Sequence, residues 1–265
     1  MLCVLALAET REAEAQQLAQ ALRLPLVHGE QSQGFSYALA LTTQRLELQT
    51  LSTMIGPVYA DLCGPDVRRR IAGGRRQPLA RACGLHRERT QRLLDATAGL
   101  GRDAVVLAGL GCTVTLLERN AVIAALLRDG LQRAARDPAI GTWLNSRVCL
   151  QEQDALHFLQ VQAAHAYDVI YLDPMYPSRD KTALAKKEMR ALRAIAGDDE
   201  DASRLLSAAL EHADKRVVVK RPPWGEPLSG PVPDHQVEGN RARYDVYFTR
   251  RQLGSKAVSG PGDSA

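Results

Sequence analysis

The sequence predicts an α/β fold, in which a doubly wound, mostly parallel sheet with an antiparallel edge strand follows a small N-terminal α+β unit. The first observation is that short apolar segments alternate with helical ones from residue 89 to about residue 250, as in βαβ units. The second is that three apolar segments end in an acidic residue before a turn, namely Asp95, Glu118 and Asp173. Such sheets bind ligands at the carboxyl ends of their strands, so the pattern also predicts where a site lies.

Residues 1–88 form the predicted N-terminal unit. Apolar stretches indicate short strands at residues 3–8, 37–41 and 45–50, and residues 12–21 indicate a helix. Proline and glycine interrupt the pattern between these elements. We expect this unit to be distinct from the domain formed by residues 89–250.

The first strand of the main domain ends at Asp95 and leads into a turn of small residues. Gly99 and Gly101 in this turn allow the backbone to approach a nucleotide-like ligand closely. Asp95 and Asp103 flank the turn, and two carboxylates suit a cationic ligand. S-adenosylmethionine (SAM) carries a sulfonium and an ammonium group, so the turn predicts a SAM site.

Two alternatives remain open for this turn. Gly99, Gly101 and Ala104 also match the loose dinucleotide fingerprint Gly-x-Gly-x-x-Gly/Ala, which would indicate a nicotinamide- or flavin-dependent oxidoreductase. Against this, Asp95 and Asp103 would repel a pyrophosphate group. The other alternative is a tight strand-to-helix turn without a ligand.

The next two strands supply further cofactor candidates. The predicted strand at residues 112–117 ends in Glu118, where a carboxylate commonly holds a ribose diol. The alternative is that Glu118 complements the dipole of the following helix. Residues 147–150 predict the third strand, and Asp154 after it is placed to accept a hydrogen bond from an adenine amino group. Asp154 is equally suited to cap the next helix.

The fourth strand, residues 169–172, exits into the run Asp173-Pro174-Met175-Tyr176. An exocyclic amine on a nucleobase needs oxygen acceptors for its N–H groups and an aromatic face for its ring. The Asp173 carboxylate and the Pro174 backbone carbonyl would supply the acceptors, and Tyr176 the face. The alternatives are an ordinary strand exit and a tyrosine that fills the core.

Basic residues flank this predicted active site on both sides in sequence. An arginine run occupies residues 68–76, in the last part of the N-terminal unit, and lysines and arginines occupy the helical segment after the Asp-Pro turn. A structured RNA would supply matching phosphates, whereas the alternative is a solvated helix face. The candidate RNA-binding residues are Arg69, Arg70, Lys181, Lys186, Lys187 and Arg190.

The C-terminal part completes the predicted sheet. Residues 215–220 form a further apolar strand, and residues 240–249 alternate as an antiparallel strand at the sheet edge does. Residues 251–265 are rich in glycine and serine, and we expect a disordered tail.

Five motifs together resemble the RsmJ family of ribosomal RNA guanine-N2 methyltransferases, over residues 61–247: DATAGLGRDA, LLERN, YLDPMYP, KTALAKKEMR and KRVVVKRP. The resemblance implies a class I (Rossmann-like) methyltransferase that uses SAM to methylate the exocyclic N2 amine of guanine 1516 in 16S rRNA. The chain departs from the family pattern at residues 64–68, where the family tends to glycine and histidine. It also has Asp154 and Ala155 where the family usually has small hydroxyl residues.

The resemblance also implies the site and the partner. It assigns cofactor contacts to Arg102, Asp103, Glu118, Arg119, Asp154, Ala155 and Asp173, to which the first turn adds Asp95, Gly99 and Gly101. The catalytic residues would be Asp173, Pro174 and Tyr176. The implied substrate is 16S rRNA or the small ribosomal subunit. The residues alone leave open an amine on another nucleobase, in other rRNA, tRNA or DNA.

Composition agrees with an enzyme of the cytoplasm. The 265 residues carry 34 Lys and Arg against 30 Asp and Glu, and 45% are hydrophobic, enough for a substantial core. We see no apolar run of transmembrane length and no signal-peptide pattern in residues 1–8. The five cysteines are scattered, without a Cys-x-x-Cys pair, so we expect buried free thiols and no metal site. The sequence does not indicate an oligomeric state.

Overall fold

The structure, a computed structural model, describes residues 1–52, 56–86, 91–175 and 185–249, without the side chains of residues 30 and 185–189. Tyr176, Lys181 and the tail at residues 251–265 therefore lie outside the described residues. The strands form two sheets. The smaller contains β1 (Leu2–Ala6), β2 (Leu26–Val27), β3 (Tyr37–Leu41) and β4 (Leu46–Thr50). The larger contains β5 (Arg92–Asp95), β6 (Thr113–Leu117), β7 (Val148–Gln151), β8 (Tyr167–Leu172), β9 (Ala213–Arg221), β10 (His235–Glu238) and β11 (Arg243–Phe248).

The small sheet has the order β2-β1-β3-β4. Strand β1 runs parallel to both β2 and β3, while β3 and β4 form an antiparallel pair. Helix α1 (Glu12–Leu22) packs on it through the buried Ala15 and Ala19, and Arg23 ends this helix in the left-handed conformation. The α+β character, the strands β1, β3 and β4, and the helix α1 confirm the sequence prediction, with ends that differ by up to two residues, whereas β2 was not predicted.

The large sheet has the order β10-β11-β9-β8-β5-β6-β7. All neighbouring pairs from β7 through β9 are parallel, and β11 runs antiparallel to both β9 and β10. The chain therefore winds outward from β5 to β7, crosses to β8 on the other side of β5, and continues outward. The α/β doubly wound fold is confirmed. The antiparallel strand lies one position in from the edge, because β10, which was not predicted, pairs with its outer side.

Helices cover both faces of the large sheet, which explains why its central strands are continuously apolar. Successive residues face opposite sides, so Leu93 and Val169 belong to one buried cluster while Leu94 and Ile170 belong to the other. The first face packs against α4 (Arg102–Gly109), α5 (Ala121–Ala135), α6 (Gly141–Arg147) and α8 (Ala185–Ala196). The second face packs against α7 (Ala155–Val161) and α9 (Ala202–His212).

The segment between the two sheets packs against the large one. Helix α2 (Pro65–Ala72) contacts α4, and helix α3 (Pro78–Ala82) contacts β10 and β11. One buried cluster runs from Val4 in the small sheet to Leu116 in the large one. The division of the chain at residue 88 stays a prediction, since that residue lies outside the described ranges.

No helix within the described ranges is long and apolar enough to cross a membrane. The five cysteines are free thiols, but the prediction that they are buried holds only for three of them, since Cys63 is half-buried and Cys149 is exposed. Cys149 is exposed on the outermost strand β7, whereas Cys3, Cys83 and Cys112 are buried.

Candidate functional site

A cavity of about 580 Å³ opens at the carboxyl ends of β5, β6, β7 and β8, where the sheet changes its winding direction and ligands of such folds bind. Its volume falls in the range of small-molecule sites. All ten residues that the sequence assigned to the cofactor line this cavity: Asp95, Gly99, Gly101, Arg102, Asp103, Glu118, Arg119, Asp154, Ala155 and Asp173. The tertiary structure therefore brings the predicted cofactor residues together.

The turn after β5 is built for close backbone approach. Gly99 and Gly101 have φ angles of 53° and 73°, in the left-handed region that favours glycine. A Cβ atom on Gly101 would lie 2.5 Å from Leu127 Cδ1 of α5. Gly101 therefore allows the turn to pass directly over α5, while Gly99 leaves open space on its own side.

Glu118 holds the glycine turn against the end of β6. Its Oε2 accepts a hydrogen bond from the Gly99 N–H at 2.9 Å, and its Oε1 accepts from the Asn120 N–H at 2.8 Å. The Asn120 side chain, not Glu118, caps α5 by accepting from Val122 and Ile123. Burial raises the pKa of Glu118, against the opposing effect of the two backbone hydrogen bonds. Each carboxylate oxygen keeps a second lone pair, so Glu118 can still accept from a diol.

Arg119 is the centre of an ionic cluster at the cavity rim. Its guanidinium donates to Asp199 and to Asp201, at 2.7 Å for the latter, and lies 3.7 Å from Asp154. Asp154 also caps α7 by accepting from the His157 N–H, as the alternative interpretation predicted. Asp199 was not predicted; it also accepts from the Met175 N–H at 2.6 Å and so links the rim to the chain after Asp173. Within the described ranges, no group of three or more acidic, His or Cys side chains is arranged to hold a metal ion.

Asp103 is an ion-pair partner of the protein itself. Its carboxylate contacts the Arg70 guanidinium, accepts from the Tyr171 hydroxyl at 2.6 Å, and lies 3.0 Å from Lys220 Nζ. Burial opposes ionisation, but the Lys220 and Arg70 charges outweigh it and hold the pKa of Asp103 below its ordinary value. Asp103 is therefore ionised and already neutralised.

Asp95 is only 2% exposed, and burial raises its pKa well above the ordinary value. It accepts from the Thr97 N–H at 3.2 Å, which shapes the start of the turn. The two carboxylates that flank the turn therefore differ in their electrostatic environment. Burial opposes the ionisation of Asp95, whereas Asp103 is paired with Arg70 and Lys220.

Asp173 directly follows β8 and lines the cavity, with its side chain 40% exposed. Its Oδ2 is 2.7 Å from Lys220 Nζ, and its backbone N–H donates to the Thr97 hydroxyl at 2.6 Å. Surrounding protein raises the pKa of Asp173; Lys220 opposes this rise and the Asp103 charge adds to it. Pro174 is buried. The Asp-Pro turn is thus anchored from two neighbouring strands, and Oδ1 has acceptor capacity beyond the Lys220 contact.

Lys220 is a site residue that the sequence interpretation missed. It ends the apolar run of β9, next to β8 in the sheet, and its ammonium joins Asp103 to Asp173. Burial lowers its pKa, but the two carboxylates outweigh this and hold the pKa above its ordinary value. The available signal was a charged residue at the carboxyl end of a buried strand, the same signal that identified Asp173.

The candidate RNA-binding residues are not all equivalent in the structure. Arg69 is exposed beside Asp66, and Arg190 is exposed on α8. Arg70 instead lines the cavity and pairs with Asp103. Lys186 and Lys187 lie on α8, with side chains outside the described atoms. Arg70 therefore forms part of the cavity wall together with Asp103, a position that the sequence did not indicate.

The chain is similar in sequence to known methyltransferases. A family model described as "Putative SAM-dependent methyltransferase" matches residues 17–249. Ribosomal RNA small subunit methyltransferase J of Vibrio vulnificus is 50% identical over 221 residues, covering 80% of this chain and 85% of the relative. The protein of the same name from Coxiella burnetii is 48% identical over 243 residues, covering 91% and 94%.

A solved structure agrees with the sequence relatives. The crystal structure of a SAM-dependent methyltransferase from Neisseria gonorrhoeae superposes with a TM-score of 0.71 at 30% identity, covering 99% of this chain and 100% of that one. Similarity therefore extends over the whole architecture, including the small N-terminal sheet.

Proposed function

This chain belongs to the ribosomal RNA small subunit methyltransferase J family of SAM-dependent methyltransferases, and we propose that it methylates the exocyclic N2 amine of guanine 1516 in 16S rRNA. Its fold is the class I, Rossmann-like methyltransferase fold. The observation that carries the proposal is the position of Asp173, a carboxylate that lines the cofactor cavity at the end of β8 and is held by Lys220 and Thr97. We place the reaction in the cytoplasm, on rRNA or the small subunit.

The residues of the cavity fit SAM. Glu118 has acceptor capacity for ribose hydroxyls, the glycine turn exposes backbone, and apolar side chains such as Leu100 and Leu156 line the walls. Asp154 and Ala155 lie at the end of β7, on the side suited to the adenine ring. When bound, SAM supplies an electrophilic methyl group.

The protein contributes to the reaction mainly by orienting the guanine amine towards the methyl group. The lone pair of a guanine amine is delocalised into the ring, so the nitrogen is a weak nucleophile. Acceptors at Asp173 and at the Pro174 carbonyl would hold its N–H groups and direct the lone pair towards the methyl group. Fixing the reacting atoms in this way lowers the barrier without a covalent intermediate.

Asp173 also has a role in proton transfer. The nitrogen that gains the methyl group must lose one proton, and Asp173 is the carboxylate proposed to hold that N–H. Because the surrounding protein raises the pKa of Asp173, its carboxylate is a better proton acceptor than an exposed aspartate. Its partial exposure then allows the proton to pass to solvent.

The proposed function is tested directly on rRNA. Small-subunit rRNA from cells that lack this protein should miss one methyl group, on the guanine specified above, when its fragments are weighed by mass spectrometry. Adding purified protein and SAM should restore that mass, and adding the Asp173→Asn variant should not. A full methyl complement without the protein, or restoration at a different base, would contradict the assignment.

We predict that Glu118→Ala weakens SAM binding by about 1.5–3 kcal/mol, the cost of removing a charged hydrogen-bond acceptor. Isothermal titration calorimetry measures this directly. Glu118→Gln is the matched control, because it keeps one acceptor oxygen and should lose less. Unchanged affinity in Glu118→Ala would limit Glu118 to holding Gly99 and Asn120 in place.

We predict that replacing Lys186 and Lys187 by alanine weakens RNA binding and flattens its salt dependence. The slope should fall by about 0.7–0.9 for each phosphate that the variant no longer binds. Arg136→Ala is the control, because Arg136 is exposed at the far end of α5, away from the carboxyl edge of the sheet. An unaltered slope in the double variant would mean that Lys186 and Lys187 belong to an ordinary solvated helix face.

A further inference from the structure

The loop between β9 and β10 lies at the same sheet edge as Asp173, because β9 runs parallel to β8 and ends beside it. Five prolines occur between residues 222 and 233 of this loop. Proline restricts the unfolded chain as well as the folded one, so the loop loses little conformational entropy on ordering. This loop is therefore built to hold one shape next to the catalytic turn.

Its first turn, residues 222–225, is fixed by hydrogen bonds from three directions. The Gly225 N–H donates to the Pro222 carbonyl at 2.9 Å and closes the turn. Arg221, buried at the end of β9, donates through Nε to the Glu226 carbonyl at 2.8 Å. Arg243 of β11 donates to the Pro223 carbonyl at 3.3 Å. The backbone on both sides of Trp224 is thus held in place.

Trp224 itself is 52% exposed. Hydrating an exposed indole ring is costly in free energy. The hydrogen bonds described above fix the backbone of the turn, yet they leave half of the ring in contact with solvent. Arg241 is exposed in the turn between β10 and β11, at the sheet edge where β9 ends. An exposed aromatic ring on a fixed turn, with an exposed cation at the same edge, is the combination that binds single-stranded nucleic acid.

We propose that Trp224 is a stacking platform for an unpaired base of the RNA substrate, next to the base that enters the Asp173 pocket; this rests on the proposed function. The indole supplies a π-face to a neighbouring nucleotide, while the exposed Arg241 contacts the phosphates of the strand. Stacking does not require a particular base, so Trp224 positions the RNA strand without selecting its sequence. The target amine is still recognised at Asp173.

The chain contains two tryptophans, which allows a direct optical test. In Trp143→Phe, Trp224 is the only tryptophan; its fluorescence should be quenched as an rRNA fragment containing the target guanine is added. In Trp224→Phe, the remaining Trp143 lies on α6, which leads into the amino end of β7, and its fluorescence should stay constant. Unchanged Trp224 emission at saturating RNA would overturn the proposal.

Affinity and activity give the second measurement. Trp224→Ala should weaken RNA binding by about 5- to 150-fold, the range expected for one stacked base. The slope of affinity against salt should stay unchanged, because the variant keeps every cationic group that binds phosphate. Trp224→Phe should recover part of the affinity, and SAM binding should be equal in all three proteins. Binding of Trp224→Ala within twofold of the wild type would overturn the proposal.

The proposed function and the stacking role of Trp224 are overturned by different results. Wild-type protein that neither binds nor methylates the rRNA fragment would overturn both the proposed function and the role of Trp224. If the wild-type protein is active but RNA neither changes the Trp224 fluorescence nor depends on Trp224 for its affinity, the stacking role alone is overturned. Quenching by small-subunit ribosomal proteins in the absence of RNA would assign the indole to a protein partner and would also overturn it.

Discussion

Replacing Asp173 by asparagine should reduce methyl transfer by about 100-fold or more while the fold persists. The two side chains have nearly equal volume, and the Asp173 backbone contact to Thr97 does not depend on the carboxylate. A neutral amide is a weaker acceptor and cannot stabilise positive charge that develops on the amine nitrogen. Losing one preorganised electrostatic contact to a transition state typically costs this much.

Single-turnover methyl transfer at saturating SAM is the measurement that isolates this effect, since it separates chemistry from cofactor binding. SAM affinity is measured on the same preparation. Asp154→Asn is the matched control: it removes a carboxylate from the same cavity, on the cofactor side, and should change SAM affinity more than the transfer rate. An Asp173→Asn variant within about threefold of wild type, less than 1 kcal/mol in the barrier, would exclude Asp173 as the amine acceptor.

Replacing Lys220 by methionine is the change with the second largest expected effect. It should lower the stability of the fold and shift the pH dependence of methyl transfer. The ammonium is shared by Asp103 and Asp173, so its removal leaves two carboxylates facing each other across the cavity wall. Because these side chains are partly exposed and Arg70 still pairs with Asp103, we expect a stability loss of about 1–3 kcal/mol, below the cost for a fully buried pair.

The direction of the pH effect follows from which form of Asp173 works. The ionised carboxylate accepts the amine N–H, so activity is lost as pH falls through the pKa of Asp173. That pKa is already raised, and Lys220 limits the rise. In Lys220→Met the pKa should rise further, and the acid side of the rate profile should move to higher pH.

The pH profile of single-turnover transfer, measured on protein shown to be folded at each pH, checks this prediction. Lys220→Arg keeps the positive charge and should keep the acid limb near its wild-type position. Lys215→Met, at the other end of β9 and paired with Asp168, controls for the loss of any lysine from this strand. An acid limb that does not move in Lys220→Met would separate Lys220 from the ionisation of Asp173.

The sequence by itself determined the fold class and the location of the site. Alternating apolar and helical segments required a sheet covered on both faces, and acidic residues after three strands identified the carboxyl edge. These are local signals, since each depends on residues that are adjacent in the chain. The glycine pattern alone left a nicotinamide or flavin enzyme open; the family match, not the pattern, excludes it.

Only the tertiary structure decided how the charges of the site are paired. Arg70, Asp103 and Lys220 are separated by 33 and 117 residues, and no periodicity in the sequence links them. Sheet order places β9 beside β8, so that Lys220 reaches Asp173 as well as Asp103 and joins the two carboxylates in a neutralised network. Charges interact through distance in space and through burial, and neither quantity can be obtained from spacing along the chain.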